Sequence, residues 1–273
     1  LRRLRGQVPG ATPLADGKDY AVTVSTPPDA PSQVCQIFNA SGTISAADVT
    51  NVKVTCRSVF AYVADRATGN ILTYIVNAVT GALSRVGSPV AAEQPHAIAV
   101  EPGDGFLYSL YSGENVTPGN ITVYRVNAIT GDIARVGSPV NAELDARSIA
   151  IDHSGRFLYV ANYGSNTIST YAIDRRTGAL TRSGPPVAAG GGPACVAIDP
   201  AGRFAYVANG VSNTVSIYSI NSSTGVLASV GVPVPTLSGP SCIVIEPRGW
   251  FAYVVNSGSN NTSSYAVDAV TGG

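Results

Sequence analysis

Apolar and polar residues alternate in short runs through most of this chain. Within residues 195–234, "CVAID", "FAYVAN", "TVSIYSI" and "LASVGVPV" place apolar side chains at alternate positions, the two-residue period of a half-buried β-strand. Turn signals separate the runs. "DPAGR" sets Pro after Asp and then Gly, "SSTGV" and "RRTGA" offer Gly where a tight hairpin needs positive φ, and "YGSN" or "SGSN" closes the middle pair. Links this short force each strand to pair with the next, which predicts an antiparallel four-stranded meander.

The meander recurs. An aromatic marker falls at Tyr62, Tyr108, Tyr159, Tyr206 and Tyr253, and a Thr-Gly marker begins at Thr80, Thr130, Thr177, Thr224 and Thr271, so the unit advances by 46 to 51 residues, mostly 47. That period suits four-stranded propeller blades. A helical solenoid would need apolar residues at i, i+3 and i+4 over an uninterrupted stretch, and no unit supplies one. Since a lone meander buries nothing, the units are expected to pack face to face around an axis. The fold class is therefore all-β, a β-propeller over residues 57–273. Residues 57 to 90 supply the second to fourth strands of one blade, three full blades follow at about 95–140, 146–187 and 193–234, and 240–267 supply the first three strands of a fifth.

Residues 1–56 do not repeat. "DYAVTVST", "SQVCQIF", "SGTIS" and "TNVKVTC" read as short strands, which predicts part of a β-sandwich. Cys35 and Cys56 lie near two strand ends. A disulfide between them is the first reading and two buried thiols the second.

Composition narrows the partners. With 17 Lys and Arg against 17 Asp and Glu, and charged residues at 12%, the surface is largely neutral and polar. Nucleic acid, whose affinity rests on cations neutralising phosphates, is not expected. No apolar run reaches the ~18 residues of a membrane span. The basic opening "LRRLRGQVPG" lacks the apolar core of a signal peptide. The absence of methionine leads us to expect a piece of a longer protein.

The units "DPAGRFAYVANGVSNTVSIYSINSSTG" and "DHSGRFLYVANYGSNTISTYAIDRRTG" resemble the YVTN-type repeats of the lactonase-family β-propellers, and the resemblance covers about residues 57–273. It implies a seven-bladed parent, of which about five partial or complete blades are present. "PLADGKDYAVTVSTPPDAPSQVCQIFNASGTISAADVTNVKVTC" resembles a bacterial surface-protein sandwich repeat. Both resemblances imply secretion or display at a bacterial surface, extracellular or periplasmic.

The first strand of each blade lines the central channel of a propeller, where ligands commonly bind. Aligned, these strands put His96, Arg147, Ala194 and Ser241 in one column and Ala97, Ser148, Cys195 and Cys242 in the next. His96, Arg147, Ser148, Cys195, Ser241 and Cys242 are thus the expected channel lining. Some lactonase-family enzymes, which resemble 6-phosphogluconolactonase, use His, Arg and Glu near the channel. By that resemblance His96 would be a general base, Arg147 a carboxylate or phosphate clamp, and Glu93 and Glu143 assisting acids. The competing reading makes His96 a satisfied loop-edge residue and Arg147 a surface charge.

Other features read as structural. Glu101, Asp152, Asp199 and Glu246 close every inner strand, a repetition that suits turn chemistry better than catalysis. Cys195 and Cys242 are expected to be small buried apolar residues, with a bridge the second reading because inner strands splay around a channel. The common metal, acyl-transfer and nucleotide motifs are absent, so no cofactor and no metal is expected.

The first expectation of function is a binding or scaffold module for a protein or glycan, contacted through neutral loops such as "NYGSN" and "NGVSN". The alternative is a metal-independent lactone hydrolase. A second alternative is a self-assembling surface subunit joined through incomplete blades.

Overall fold

The computed structural model describes residues 17–23, 33–45, 52–103, 105–113 and 117–273. Among them every regular element is a strand, and no helix is long and apolar enough to cross a membrane. The chain divides into two compact units, one comprising Leu1–Ala61, Thr73–Gly87 and Ala128–Gly131, the other Tyr62–Leu72, Ser88–Asn127 and Asp132–Gly273.

In the first unit β1 (Asp19–Ala21) pairs with β3 (Ser41–Thr43), while β2 (Gln33–Phe38) runs antiparallel to the start of β4 (Lys53–Asp65). Cys35 is disulfide-bonded, and Cys56 is the residue opposite it in the strand register. The rest of the stretch expected to form a sandwich lies outside the described residues. The boundary expected at residue 57 falls inside β4, because "VTC" and "SVFAYVAD" alternate without any turn signal between them.

Five antiparallel sheets follow the predicted order. The first is β2-β4-β5-β6, with β5 at Asn70–Val76 and β6 at Leu83–Ala91. The second comprises β7 (Pro95–Val100), β8 (Phe106–Tyr111), β9 (Pro118–Val126) and β10 (Ile133–Leu144). The third comprises β11 (Ala146–Ile151), β12 (Phe157–Asn162), β13 (Thr167–Ile173) and β14 (Leu180–Arg182), with β15 (Val187–Ala188) also on β13. The fourth repeats this with β16 (Pro193–Ile198), β17 (Phe204–Asn209), β18 (Thr214–Ile220), β19 (Leu227–Ser229) and β20 (Val234–Pro235). The fifth holds β21 (Pro240–Ile245), β22 (Phe251–Asn256) and β23 (Asn261–Ala266). Strands β7, β11, β16 and β21 are the edges that meet one another, so they form the inner wall.

Burial follows from stacking on both sides. All six residues of β12 and of β17 are buried, because each blade has a neighbour on either face. In β22 only alternate residues are buried: Val254 is 0% exposed, whereas Phe251 and Tyr253 are 44% and 40% exposed.

Blades are latched by a repeated pair of contacts. The hydroxyls of Tyr108, Tyr159 and Tyr206 donate to the carbonyls of Gly178, Gly225 and Gly272, each in the Thr-Gly hairpin of the next blade, at 3.1, 3.1 and 3.0 Å. Those glycines have φ of 77°, 72° and 79°, and the rings of Phe106, Phe157 and Phe204 fill the space a β-carbon would need. Glycine is required there twice over, for backbone and for space. Tyr171, Tyr218 and Tyr265 reach the other way, donating to Asn141, Ala188 and Pro235 of the preceding blade.

The acids that close the inner strands hold turns. Asp152 accepts from the Arg156 and Phe157 amides at 2.8 and 2.7 Å, and Asp199 from the Arg203 and Phe204 amides at 2.6 and 2.8 Å. Glu246 does the same for Arg248 and Trp250.

Candidate functional site

The register of the inner strands explains how His96 and Arg147 are presented. In each of four blades the first two strands pair at Pro95–Tyr111, Ala146–Asn162, Pro193–Asn209 or Pro240–Asn256, then skip one residue before pairing resumes. The skipped residues are His96, Arg147, Ala194 and Ser241. One extra residue on one strand is a β-bulge, which bends the strand and re-aims the side chain it carries. The aligned column is therefore a set of equivalent bulges at one end of the channel wall.

The residue before each bulge pair is left-handed. Gly192 and Gly239 fill this position in the fourth and fifth blades with φ of 64°, as glycine does readily. The second and third blades instead carry Gln94 and Asp145, at φ of 40° and 47°. A side chain at a position that glycine suits better costs about 1 kcal/mol or more, so Asp145 is held there by its contacts.

Those contacts assemble the site. Arg147 Nε and Nη2 donate to Asp145 Oδ1 and Oδ2 at 3.1 and 2.8 Å, a two-point pairing that fixes the guanidinium plane. The Ser112 hydroxyl donates to Asp145 Oδ1 at 2.9 Å. The guanidinium carbon lies 3.4 Å from the centre of the Tyr163 ring, and the Tyr163 amide donates to the Asp145 carbonyl at 2.9 Å. Arg147 is thus clamped between a carboxylate and an aromatic face, and its Nη1 makes no hydrogen bond among the described residues.

His96 lies within electrostatic reach of this pair. Burial lowers its pKa, and the charges of Arg66 and Arg147 lower it further against the opposing pull of Asp145. Its Nδ1 is buried without a hydrogen-bond partner. An imidazolium would leave an N–H donor there with nothing to accept it, so the neutral ring is favoured. Burial works against the Asp145 charge, but the hydrogen bonds from Arg147 and Ser112 outweigh it and keep the carboxyl below its usual range.

The two glutamates expected to assist are engaged elsewhere. Glu143 pairs with Arg182 at 2.7 Å, and Glu93 accepts from Asn120 Nδ2 at 3.4 Å. The acid beside His96 is Asp145, which sequence reasoning missed. Its signal was the alignment itself, where an acid occupies the column of Gly192 and Gly239.

The remaining lining residues vary. The Ser148 hydroxyl accepts from the Val196 amide at 3.2 Å, and exposed Ser241 donates to the Val255 carbonyl at 3.4 Å. Cys195 and Cys242 do not splay apart: their sulfurs are 3.7 Å apart. Among the described residues, no group of three or more His, Cys, Asp and Glu side chains is placed to hold a metal ion. A hollow of about 300 Å³ lined by Asp199, Arg203 and Arg248 lies at the opposite ends of the inner strands and includes neither His96 nor Arg147.

Adjacent bulges on the inner strands of a β-propeller thus carry an imidazole and a clamped guanidinium. The chain belongs to the lactonase family of seven-bladed β-propellers, whose model matches residues 30–145, 139–245 and 187–273. Comparison with curated protein sequences gives no match. In fold, the chain is similar to a functionally unknown protein from Desulfotomaculum acetoxidans at 20% identity and TM-score 0.62, covering 80% of this chain and 67% of that one. It is similar to the periplasmic gluconolactonase PpgL of Pseudomonas aeruginosa at 19% identity and TM-score 0.65, covering 80% and 65%. A Lactobacillus plantarum protein has 22% identity and TM-score 0.64, covering 85% and 75%. The chain thus spans about two thirds of the length of the first two.

Proposed function

We propose that the protein hydrolyses a lactone at the channel mouth formed by β7 and β11. The observation that carries this reading is the convergence of His96, with its unpartnered Nδ1, and the Arg147–Asp145 pair on adjacent bulges. Membership of the lactonase family supports lactonase chemistry over a purely binding role.

The chemistry follows from the two groups. Neutral His96 takes a proton from water as the water oxygen adds to the lactone carbonyl. Arg147, its plane fixed by Asp145 and Tyr163, offers its Nη1 edge to the developing oxyanion, where a preorganised donor acts most strongly. Collapse of the tetrahedral adduct breaks the ring C–O bond, and the imidazolium returns its proton to the departing alkoxide. The product is the open hydroxy acid.

The loops expected to recognise a protein or glycan supply little free polarity. Asn162 and Asn209 are fully buried, and Asn166 and Asn213 accept from the Gly192 and Gly239 amides at 2.7 and 2.8 Å. Ser165 accepts from the Leu144 amide at 3.1 Å. For location, the bonded Cys35 and the periplasmic description of PpgL support a site outside the cytosol.

The test is hydrolysis of a panel of sugar-acid lactones by the purified chain, with His96→Ala and Arg147→Ala alongside. We expect turnover above the spontaneous rate and a loss of 10²-fold or more in each variant, on the order of what a general base or an oxyanion donor contributes. Folded wild type that matches the buffer blank on every lactone overturns the reading.

A further inference from the structure

The inner strands of the fourth and fifth blades bring two free cysteines together. Cys195 on β16 and Cys242 on β21 occupy equivalent positions 47 residues apart in sequence, and the Cys195 thiol donates toward Cys242 Sγ at 3.7 Å. A disulfide bond is about 2.05 Å long, so closure needs the sulfurs to approach by roughly 1.7 Å.

The surroundings hold one sulfur and leave the other more open. The Ile243 amide donates to Cys195 Sγ at 3.3 Å, and the Cys195 thiol also lies 3.7 Å from the Ile243 carbonyl. Both side chains are half-buried, with Cys242 the shallower. Two thiols in contact on adjacent strands, one fixed and one accessible, form the arrangement that thiol–disulfide exchange requires.

We propose that Cys242 and Cys195 form a dithiol site that reacts with low-molecular-weight disulfides and closes into a bond joining the fourth and fifth blades. The Cys242 thiolate attacks one sulfur of the small disulfide, forming a mixed disulfide and expelling one thiolate. Cys195 then gives up its proton to that thiolate and attacks Cys242 Sγ, expelling the second thiolate, which takes a proton from solvent. The two cysteines are oxidised by two electrons, and the small disulfide is reduced to two thiols.

Electrostatics supports this order of attack. The hydrogen bond from Cys195 pulls the Cys242 thiol below its usual range and favours its thiolate, while the same bond and then burial push Cys195 up. The site does not depend on the hydrolase reading, because neither sulfur takes part in it.

The probe is glutathione disulfide, added to the full chain and followed by maleimide quenching and peptide mass spectrometry. We expect both maleimide-reactive thiols to disappear and a peptide cross-linked through Cys195 and Cys242 to appear. Cys195→Ser should accumulate a glutathione adduct on Cys242 at least tenfold faster than Cys242→Ser accumulates one on Cys195. Thiols that stay reactive in oxidising glutathione overturn the site even if neither variant folds. Equal adduct formation in two folded variants overturns the assigned nucleophile and with it the proposal.

Discussion

Replacing Asp145 by glycine separates the folding role of this position from its chemical role. At φ of 47°, Asp145 occupies a conformation that costs an L-residue about 1–2 kcal/mol and glycine almost nothing. Against that relief stand glycine's extra chain entropy, about 0.5–1 kcal/mol, and the loss of a pair whose side chains are 37% and 29% exposed. Solvent screening holds such a pair to about 0.5–1 kcal/mol. The opposing contributions nearly cancel, so Asp145→Gly should unfold in urea within about 1 kcal/mol of wild type.

Activity should respond differently. Without its two-point partner the Arg147 plane swings free, and a displacement near 1 Å is worth roughly 10²-fold in rate. The variant also removes the charge that raises the His96 pKa and unmasks the Arg147 charge that lowers it. Both changes favour the neutral ring, so the acidic limb of kcat/KM should move to lower pH, and Asp145→Asn should move it the same way. The assay is the pH profile of lactone hydrolysis by wild type and both variants. An unmoved limb with unchanged kcat/KM, or a stability loss above about 2 kcal/mol, refutes the positioning role of Asp145.

Three further outcomes rest on separate contacts. Gly225→Ala should cost about 2–4 kcal/mol in urea unfolding, because φ of 72° and the Phe157 ring both exclude a β-carbon; a loss below 1 kcal/mol would show that the latch gives way easily. Tyr159→Phe leaves the Gly225 carbonyl without its donor and should cost about 1–2 kcal/mol, whereas equal midpoints would show that water replaces the hydroxyl. His96 has a folded pKa below its unfolded value of 6.5, so its contribution is full above pH 6.5 and declines as pH falls toward the folded value. His96→Gln should flatten the fall of stability between pH 7.5 and about 5, and an unchanged slope in urea titrations would refute that assignment.

Much of the fold was legible because each blade writes the same local chemistry. The turn acids Asp152 and Asp199 act within five residues of themselves, so their role could be read from "DHSGRF" and "DPAGRF". The equivalence of His96 and Arg147 was legible too, since a bulge recurring at one place in the register keeps the alignment in step. The acid was not. Glu93 and Glu143 were chosen because they just precede their inner strands, whereas the acid on Arg147 is Asp145, two residues before it, which is also held by Ser112, 33 residues away.

Alternation, glycine placement and period by themselves determined an all-β repeat of blades and its inner strands, because these depend on interactions spanning a few residues or one hairpin. Tertiary structure alone decided that Ser112 of the preceding blade reaches Asp145, and that the channel wall is close enough at Cys195 and Cys242 to put two sulfurs 3.7 Å apart. The physical reason is the packing of one blade on the next: it sets distances between side chains about one repeat apart, and no local pattern encodes that approach.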